Sequence, residues 1–78
     1  MAKTQTPDAR ARSVAIRSDR LEVELVDGRI VRVPYASLPR LAKATIGERQ
    51  NYQLVGDGTL IHWPDIDEDI DVPLLLRG

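Results

Sequence analysis

Hydrophobic and polar residues alternate on both sides of an Asp-Gly pair between positions 21 and 35. Alternation with a period of two around such a pair predicts a β-hairpin. A three-residue loop, 26–28, with Gly28 in a left-handed conformation would keep the apolar residues of both strands on one face. A two-residue loop would mix the faces, because a register slip of one residue exchanges them. The predicted cross-strand pairs are therefore Val23 with Val31, Leu21 with Val33, and Glu22 with Arg32.

Shorter apolar runs predict two further strand regions. The segment SVAIRS has Val14 and Ile16 on one face of a short strand. A second hairpin is predicted between Tyr52 and Trp63, with its turn at the GDG of 56–58. Its last strand should end at Trp63, because Pro64 has no N–H to donate to a sheet.

Three short helices follow from apolar spacing and capping residues, and they should cover about 37–45, 46–51 and 72–77. Ser37 is a plausible N-cap for the first helix, with a proline in its first turn. Thr45 and Glu48 have the spacing of a capping box for the second. Asp71 can cap the third, which again has a proline in its first turn.

This order of elements predicts an α+β fold in which two β-hairpins form a small antiparallel sheet and the short helices pack on it. Residues 12–78 should form a single small domain. Residues 1–11 are polar, include Pro7 and show no periodicity, so we expect a flexible N-terminal arm there.

Composition narrows the class of protein. The chain has 78 residues and no cysteine, which fits one small domain in a reducing cytoplasm. We expect a cytoplasmic protein, because the sequence shows neither a signal peptide nor an apolar run long enough to cross a bilayer. The net charge of −1 is unevenly spread: residues 1–20 carry +3 and residues 51–78 carry −5. A pI of about 5.7 makes a nucleic-acid partner unlikely.

Five of the seven residues from Asp65 to Asp71 are acidic. Alternate aspartates resemble the start of an EF-hand loop, but Ile70 stands where that loop needs glycine and Leu76 where it needs a bidentate acid. His62 is the single histidine of the sequence, so ordinary zinc ligation has too few ligands. We predict no catalytic, metal-binding or cofactor-binding residue, no cofactor and no enzymatic activity.

Two interpretations of the acidic stretch remain. It is either a solvated turn anchored by Trp63, Ile66 and Ile70, or a face that contacts a basic protein. The candidate residues for such a partner-binding face are His62, Trp63, Asp65, Asp67, Glu68 and Asp69.

The segment GDGTLIHWPDIDEDIDVPLLLRG, with the DG hairpin and YASLPRLAKAT before it, resembles the bacterial family known as domain of unknown function 2442. The resemblance covers roughly residues 12–78. The residues that match the family pattern are Gly56, Gly58, Trp63, Pro64, Asp67, Glu68, Asp69, Val72, Leu75 and Gly78. Asp71 and Pro73 stand where many members have Ser and Glu, and Ile46 where many have Pro.

The resemblance implies a short bacterial protein without an established activity, cofactor or catalytic residue. Many members are encoded beside another small protein, an arrangement similar to toxin–antitoxin pairs, and some longer members carry a helix-turn-helix after this domain. That context implies a protein-interaction or regulatory module, with a small protein from the neighbouring gene as its partner. The alternatives are a nucleic-acid contact through the basic N-terminal segment and a structural homo-oligomer.

Overall fold

The computed structural model describes residues 9–77. Two three-stranded antiparallel sheets and three short α-helices make up this part of the chain. The N-terminal sheet has the order β1-β2-β3 and the C-terminal sheet the order β4-β5-β6. In chain order the elements are β1 (Ala11–Ile16), β2 (Arg20–Leu25), β3 (Ile30–Pro34), α1 (Pro39–Ala42), α2 (Ile46–Gln50), β4 (Gln53–Val55), β5 (Leu60–Trp63), β6 (Glu68–Asp71) and α3 (Val72–Arg77). Short 3-10 turns cover Tyr35–Ser37 and Gly56–Gly58.

The predicted first hairpin is confirmed together with its register. Val23 pairs with Val31, Leu21 with Val33, and Glu22 with Arg32. Gly28 has a φ of 95°, the left-handed conformation that the three-residue loop requires. β1 then pairs with the free edge of β2, so the sheet has three strands.

The predicted α+β class is confirmed, but the strands form two sheets where one was expected. Each hairpin gains a third strand of its own, β1 beside β2 and β6 beside β5, and the edge strands β3 and β4 do not pair with each other. In the C-terminal sheet this third strand is β6, which lies in the acidic stretch predicted to be a turn. The turn is shorter than predicted and covers 64–67. Ile70 explains the correction, since it is buried opposite Ile61 and fixes the strand in the sheet.

The helices α2 and α3 agree with prediction, and α1 is shorter. Thr45 and Glu48 form the predicted capping box at the start of α2. The Asp71 carboxylate accepts from the Leu74 backbone N–H at 3.3 Å in the first turn of α3. The helix predicted over 37–45 begins only at Pro39, and Leu38 takes the N-cap position without a side-chain cap. Helical backbone is disfavoured at a residue that precedes proline. Leu38 precedes Pro39, so the helix cannot include Leu38 and Ser37 is too early in the chain to cap it.

The two sheets share one buried cluster. It includes Leu21, Val23 and Leu25 from β2, Ile61 and Trp63 from β5, and Leu41 from α1. Every one of these side chains is fully buried. The alternation of buried residues along β2 and β5 therefore directs one face of each sheet to a common core.

Arg49 of α2 connects this core to the helices. Its guanidinium lies 4.1 Å from the centroid of the Tyr35 ring, and its Nε donates to the Leu41 carbonyl at 2.8 Å. Its own carbonyl accepts from the Trp63 indole N–H at 2.8 Å. Arg49 thus contacts β5, α1 and the 3-10 turn that follows β3, and it satisfies the polar atom of the buried indole.

The last three residues of the predicted N-terminal arm, 9–11, lie within the part of the chain that the structure describes. Ala9 and Ala11 are buried, and β1 begins at Ala11. Gly58, with a φ of 91°, lies so close to Ala11 that a Cβ there would be 2.3 Å from the Ala11 carbonyl oxygen. The last residues of the predicted arm therefore pack against the C-terminal sheet, and residues 1–8 of that arm lie outside the described part. No helix within 9–77 has the length and apolar character needed to cross a bilayer.

Candidate partner-binding surface

His62 and Asp69 lie opposite each other on β5 and β6. Their neighbours Ile61, Trp63 and Ile70 are buried, so these two side chains project from the solvent face of the C-terminal sheet. The Nδ1 atom of His62 contacts Oδ1 of Asp69 in a short hydrogen bond. The side chains are 31% and 56% exposed respectively, which keeps both available to a partner.

Trp63 and Glu68 form the next cross-strand pair, and they face the other side. Trp63 is fully buried beside Tyr52, with ring centroids 6.5 Å apart. Trp63 therefore lies beneath the predicted partner-binding face and supports it without being part of its surface. Glu68 is 23% exposed and lies 3.9 Å from Nε of Arg40.

The acids of the turn between β5 and β6 have partners different from those of Asp69 and Glu68. Asp65 accepts from the side-chain amide of Asn51 at 3.0 Å. Asp67 has a φ of 53°, and its carbonyl accepts from Nη1 of Arg40 at 2.7 Å. The acidic stretch is thus spread over several directions, and residues 9–77 contain no group of three His, Asp or Glu placed to hold a metal ion.

The acids of the N-terminal sheet and its turns differ from those of the C-terminal sheet, because each of them forms an ion pair with an arginine. Glu22 is 11% exposed and receives hydrogen bonds from three arginines at 2.9–3.3 Å. The remaining pairs are Arg12 with Glu24, Arg20 with Asp19, and Arg29 with Asp27. Desolvation opposes ionisation of Glu22, but hydrogen bonds from Arg20 and Arg17 outweigh it and lower the pKa of this carboxyl. The Arg29 backbone N–H and side chain likewise lower the pKa of Asp27, against a smaller desolvation effect.

Four aspartates of the C-terminal sheet and its turns lack such partners. They are exposed, and no described cationic side chain forms an ion pair with them: Asp57, Asp65, Asp67 and Asp71. The C-terminal sheet and its turns therefore carry unpaired negative charge on the folded surface.

Apolar side chains lie beside these acids. Val55, Leu60 and Asp71 form one cross-strand row on the solvent face, next to the row of Gln53, His62 and Asp69. Val55 is 43% exposed, and Leu74, in the helix that Asp71 caps, is 57% exposed. The solvent face of the C-terminal sheet thus combines exposed Val55 with the unpaired Asp71, and the other three unpaired aspartates lie in the turns that border the sheet.

Sequence reasoning missed Asp57, Asp71 and Val55 as members of this surface. Asp57 lies in the 3-10 turn between β4 and β5, and only the pairing of these strands with β6 brings that turn and the acidic stretch into one sheet. Val55 did carry a signal, because Leu54 and Val55 are adjacent apolar residues in one strand. Successive strand residues face opposite sides, so one of the two must lie on the solvent face.

Comparison with known proteins agrees with this fold. The crystal structure of a protein of unknown function from Rhodospirillum rubrum ATCC 11170 superposes with a TM-score of 0.78 at 27% sequence identity, covering 88% of this chain and 86% of that one. A search of curated proteins gives no significant match. The family model "Protein of unknown function (DUF2442)" matches residues 11–78. This match spans nearly the whole described chain and the surface derived above, so the chain belongs to the DUF2442 family.

Proposed function

We propose that this chain is a non-catalytic protein-interaction module that binds a small basic protein through the acidic surface of its C-terminal sheet. The partner is the product of a neighbouring gene, and the chain is the antitoxin-like half of the pair. One observation carries the proposal. The acids of the N-terminal sheet are all paired with arginines, whereas four exposed aspartates of the C-terminal sheet have no cationic partner among the described residues.

Uncompensated charge of this kind suits association. Exposed carboxylates that no internal cation neutralises attract a basic partner and speed its encounter. Val55 and Leu74 add the apolar area that a charged surface alone lacks. Together they favour a partner with basic side chains around an apolar centre.

The surroundings of His62 support the absence of catalysis. Its one side-chain hydrogen bond within the described chain is to Asp69, so no described hydroxyl group is hydrogen-bonded to the ring. A His–Asp pair needs an adjacent nucleophile to act as a hydrolytic site. This pair is therefore better suited to recognition than to group transfer.

The proposal is tested by titrating the purified chain with the protein encoded by the adjacent gene. We expect a complex whose affinity falls steeply as salt is raised from about 0.05 M, where exposed charges are weakly screened. Neutralising two unpaired acids by Asp57→Asn and Asp67→Asn should weaken binding about twofold to thirtyfold. Asp19→Asn, on the other sheet, is the matched control and should have no effect. Absence of a complex at low salt would refute the proposal.

The nucleic-acid alternative has weaker support. Its basic segment includes Arg12, Arg17, Arg20, Arg29 and Arg32, and each of them is paired with an acid of the same sheet. Phosphate binding depends on cations that can replace counterions, and these pairs already satisfy the arginines. A gel shift with duplex DNA at about 0.05 M salt would reinstate this alternative.

A further inference from the structure

The four edge strands of the two sheets differ in how they are protected from pairing with another chain. β3 ends in Pro34 and includes Arg32, and three of the four residues of β6 are acidic. Both features discourage strand addition. β1 is approached by Gly58 at its start, and the Tyr52 hydroxyl donates to the Val14 carbonyl at 3.2 Å.

β4 has none of these devices. Its residues Gln53, Leu54 and Val55 are uncharged and all exposed. Within the described chain its backbone bonds only to β5, and no described side chain bonds to it. Leu54 is 38% exposed and Val55 43% exposed, and they face opposite sides of the sheet.

We propose that β4 is the docking edge for the partner, which adds an extended basic segment as a fourth antiparallel strand. This inference rests on the proposed function and specifies the geometry of its contact. Main-chain hydrogen bonds would supply affinity, and side chains on either face would supply specificity. Because Leu54 and Val55 are apolar, the residues that pack against them in the middle of the partner strand should also be apolar.

Acids near both ends of β4 define the ends of that strand. Asp65 is bonded to Asn51, two residues before β4, and Asp57 follows two residues after it. A partner strand of about seven residues spans this distance. It should therefore carry Lys or Arg near both ends.

The same acids disfavour a second copy of this chain as the occupant. Antiparallel pairing of β4 with itself about a twofold axis would bring the Asp57 end of one copy to the Asp65 end of the other. Like charges placed opposite each other in this way are destabilising. Charge complementarity thus selects a basic segment over self-association.

The test uses the full-length ¹⁵N-labelled chain and a synthetic peptide of about seven residues, with lysine at both ends and alternating valine and threonine between them. We expect amide shift changes and slower hydrogen exchange at Gln53, Leu54 and Val55. Asp57→Asn with Asp65→Asn should weaken binding about twofold to thirtyfold. Val55→Lys should abolish it, while unchanged Trp63 fluorescence reports that the fold is intact. A peptide with glutamate at both ends, and one with a central proline, are the controls and should not bind.

The outcomes separate the two proposals. Peptide binding that shifts His62 and Asp69 but leaves β4 unchanged would overturn the docking edge and retain the acidic surface. No binding at about 0.05 M salt, together with no complex with the neighbouring gene's product, would overturn both. A concentration-dependent dimer that Val55→Lys dissolves would replace the basic segment by a second copy.

Discussion

The contact between Gly58 and Ala11 allows a quantitative test of how the sheets are joined. Gly58 has a φ of 91°, and an added Cβ would lie 2.3 Å from the Ala11 carbonyl oxygen and 3.0 Å from its nitrogen. Gly58→Ala therefore costs about 1–2 kcal/mol for a left-handed alanine. Displacing the backbone of β1 adds about 1–3 kcal/mol, as overpacking does elsewhere. A domain of this size has a total stability of about 4–12 kcal/mol, so the variant should lose a large part of it.

Two other glycines provide matched controls for urea denaturation followed by Trp63 fluorescence. Gly28 has a φ of 95° but nothing within 4 Å of an added Cβ, so Gly28→Ala should cost only the conformational term of about 1–2 kcal/mol. Gly47 lies in α2, also with open space, and Gly47→Ala should stabilise by about 0.5–1 kcal/mol. If Gly58→Ala destabilises no more than Gly28→Ala, the close approach of Gly58 to β1 is refuted.

Three further substitutions test single interactions. Thr45→Ala removes the capping box of α2 and should lower the free energy of unfolding by about 0.5–2 kcal/mol in urea titrations. Trp63→Phe removes the indole donor to the Arg49 carbonyl and should cost about 1–3 kcal/mol, measured by circular dichroism. The pKa of Glu22 is lowered in the folded state, so its contribution is present above the unfolded pKa and is lost as pH falls through the folded value. Glu22→Gln should therefore reduce the acid-induced loss of stability below about pH 4.5, and an unchanged pH profile would contradict this reasoning.

The first hairpin shows what the sequence can determine. Apolar and charged residues alternate over 21–25 and again over 31–33, on either side of Asp27 and Gly28, and a register shifted by one residue would place charged residues on the buried face. Local turn chemistry and the hydrophobic pattern agree, so both register and loop type follow from them. The capping box of α2 and the proline that directly follows β5 are local signals of the same kind, and they set the start of the helix and the end of the strand.

β6 shows where the pattern is insufficient. Three of its four residues are acidic, and such residues are depleted in strands. Only Ile70 faces the core, and its burial depends on Ile61 in a neighbouring strand. Long-range pairing overrides local propensity here.

The candidate surface was partly predictable for the same reason. The acidic residues were identified from the sequence, but their directions depend on the sheet. The pairing of β5 with β6 buries Trp63 and turns Glu68 towards Arg40, while Asp69 stays beside His62. The neutralisation of the N-terminal acids, on which the proposal depends, was predictable only in part: the hairpin register places Glu22 opposite Arg32, but the pairing of Arg12 with Glu24 depends on β1 joining β2.

The position of Arg49 has a consequence for how the domain opens. Because the side chain of Arg49 contacts the Tyr35 ring and α1, and its carbonyl accepts from the Trp63 indole, α2 cannot detach without releasing both Trp63 of β5 and Tyr35, which directly follows β3. The amide protons of α2, β2 and β5 should accordingly exchange as one cooperative unit. Two small sheets joined in this way behave as a single folding unit, so a partner that binds one sheet also changes the stability of the other.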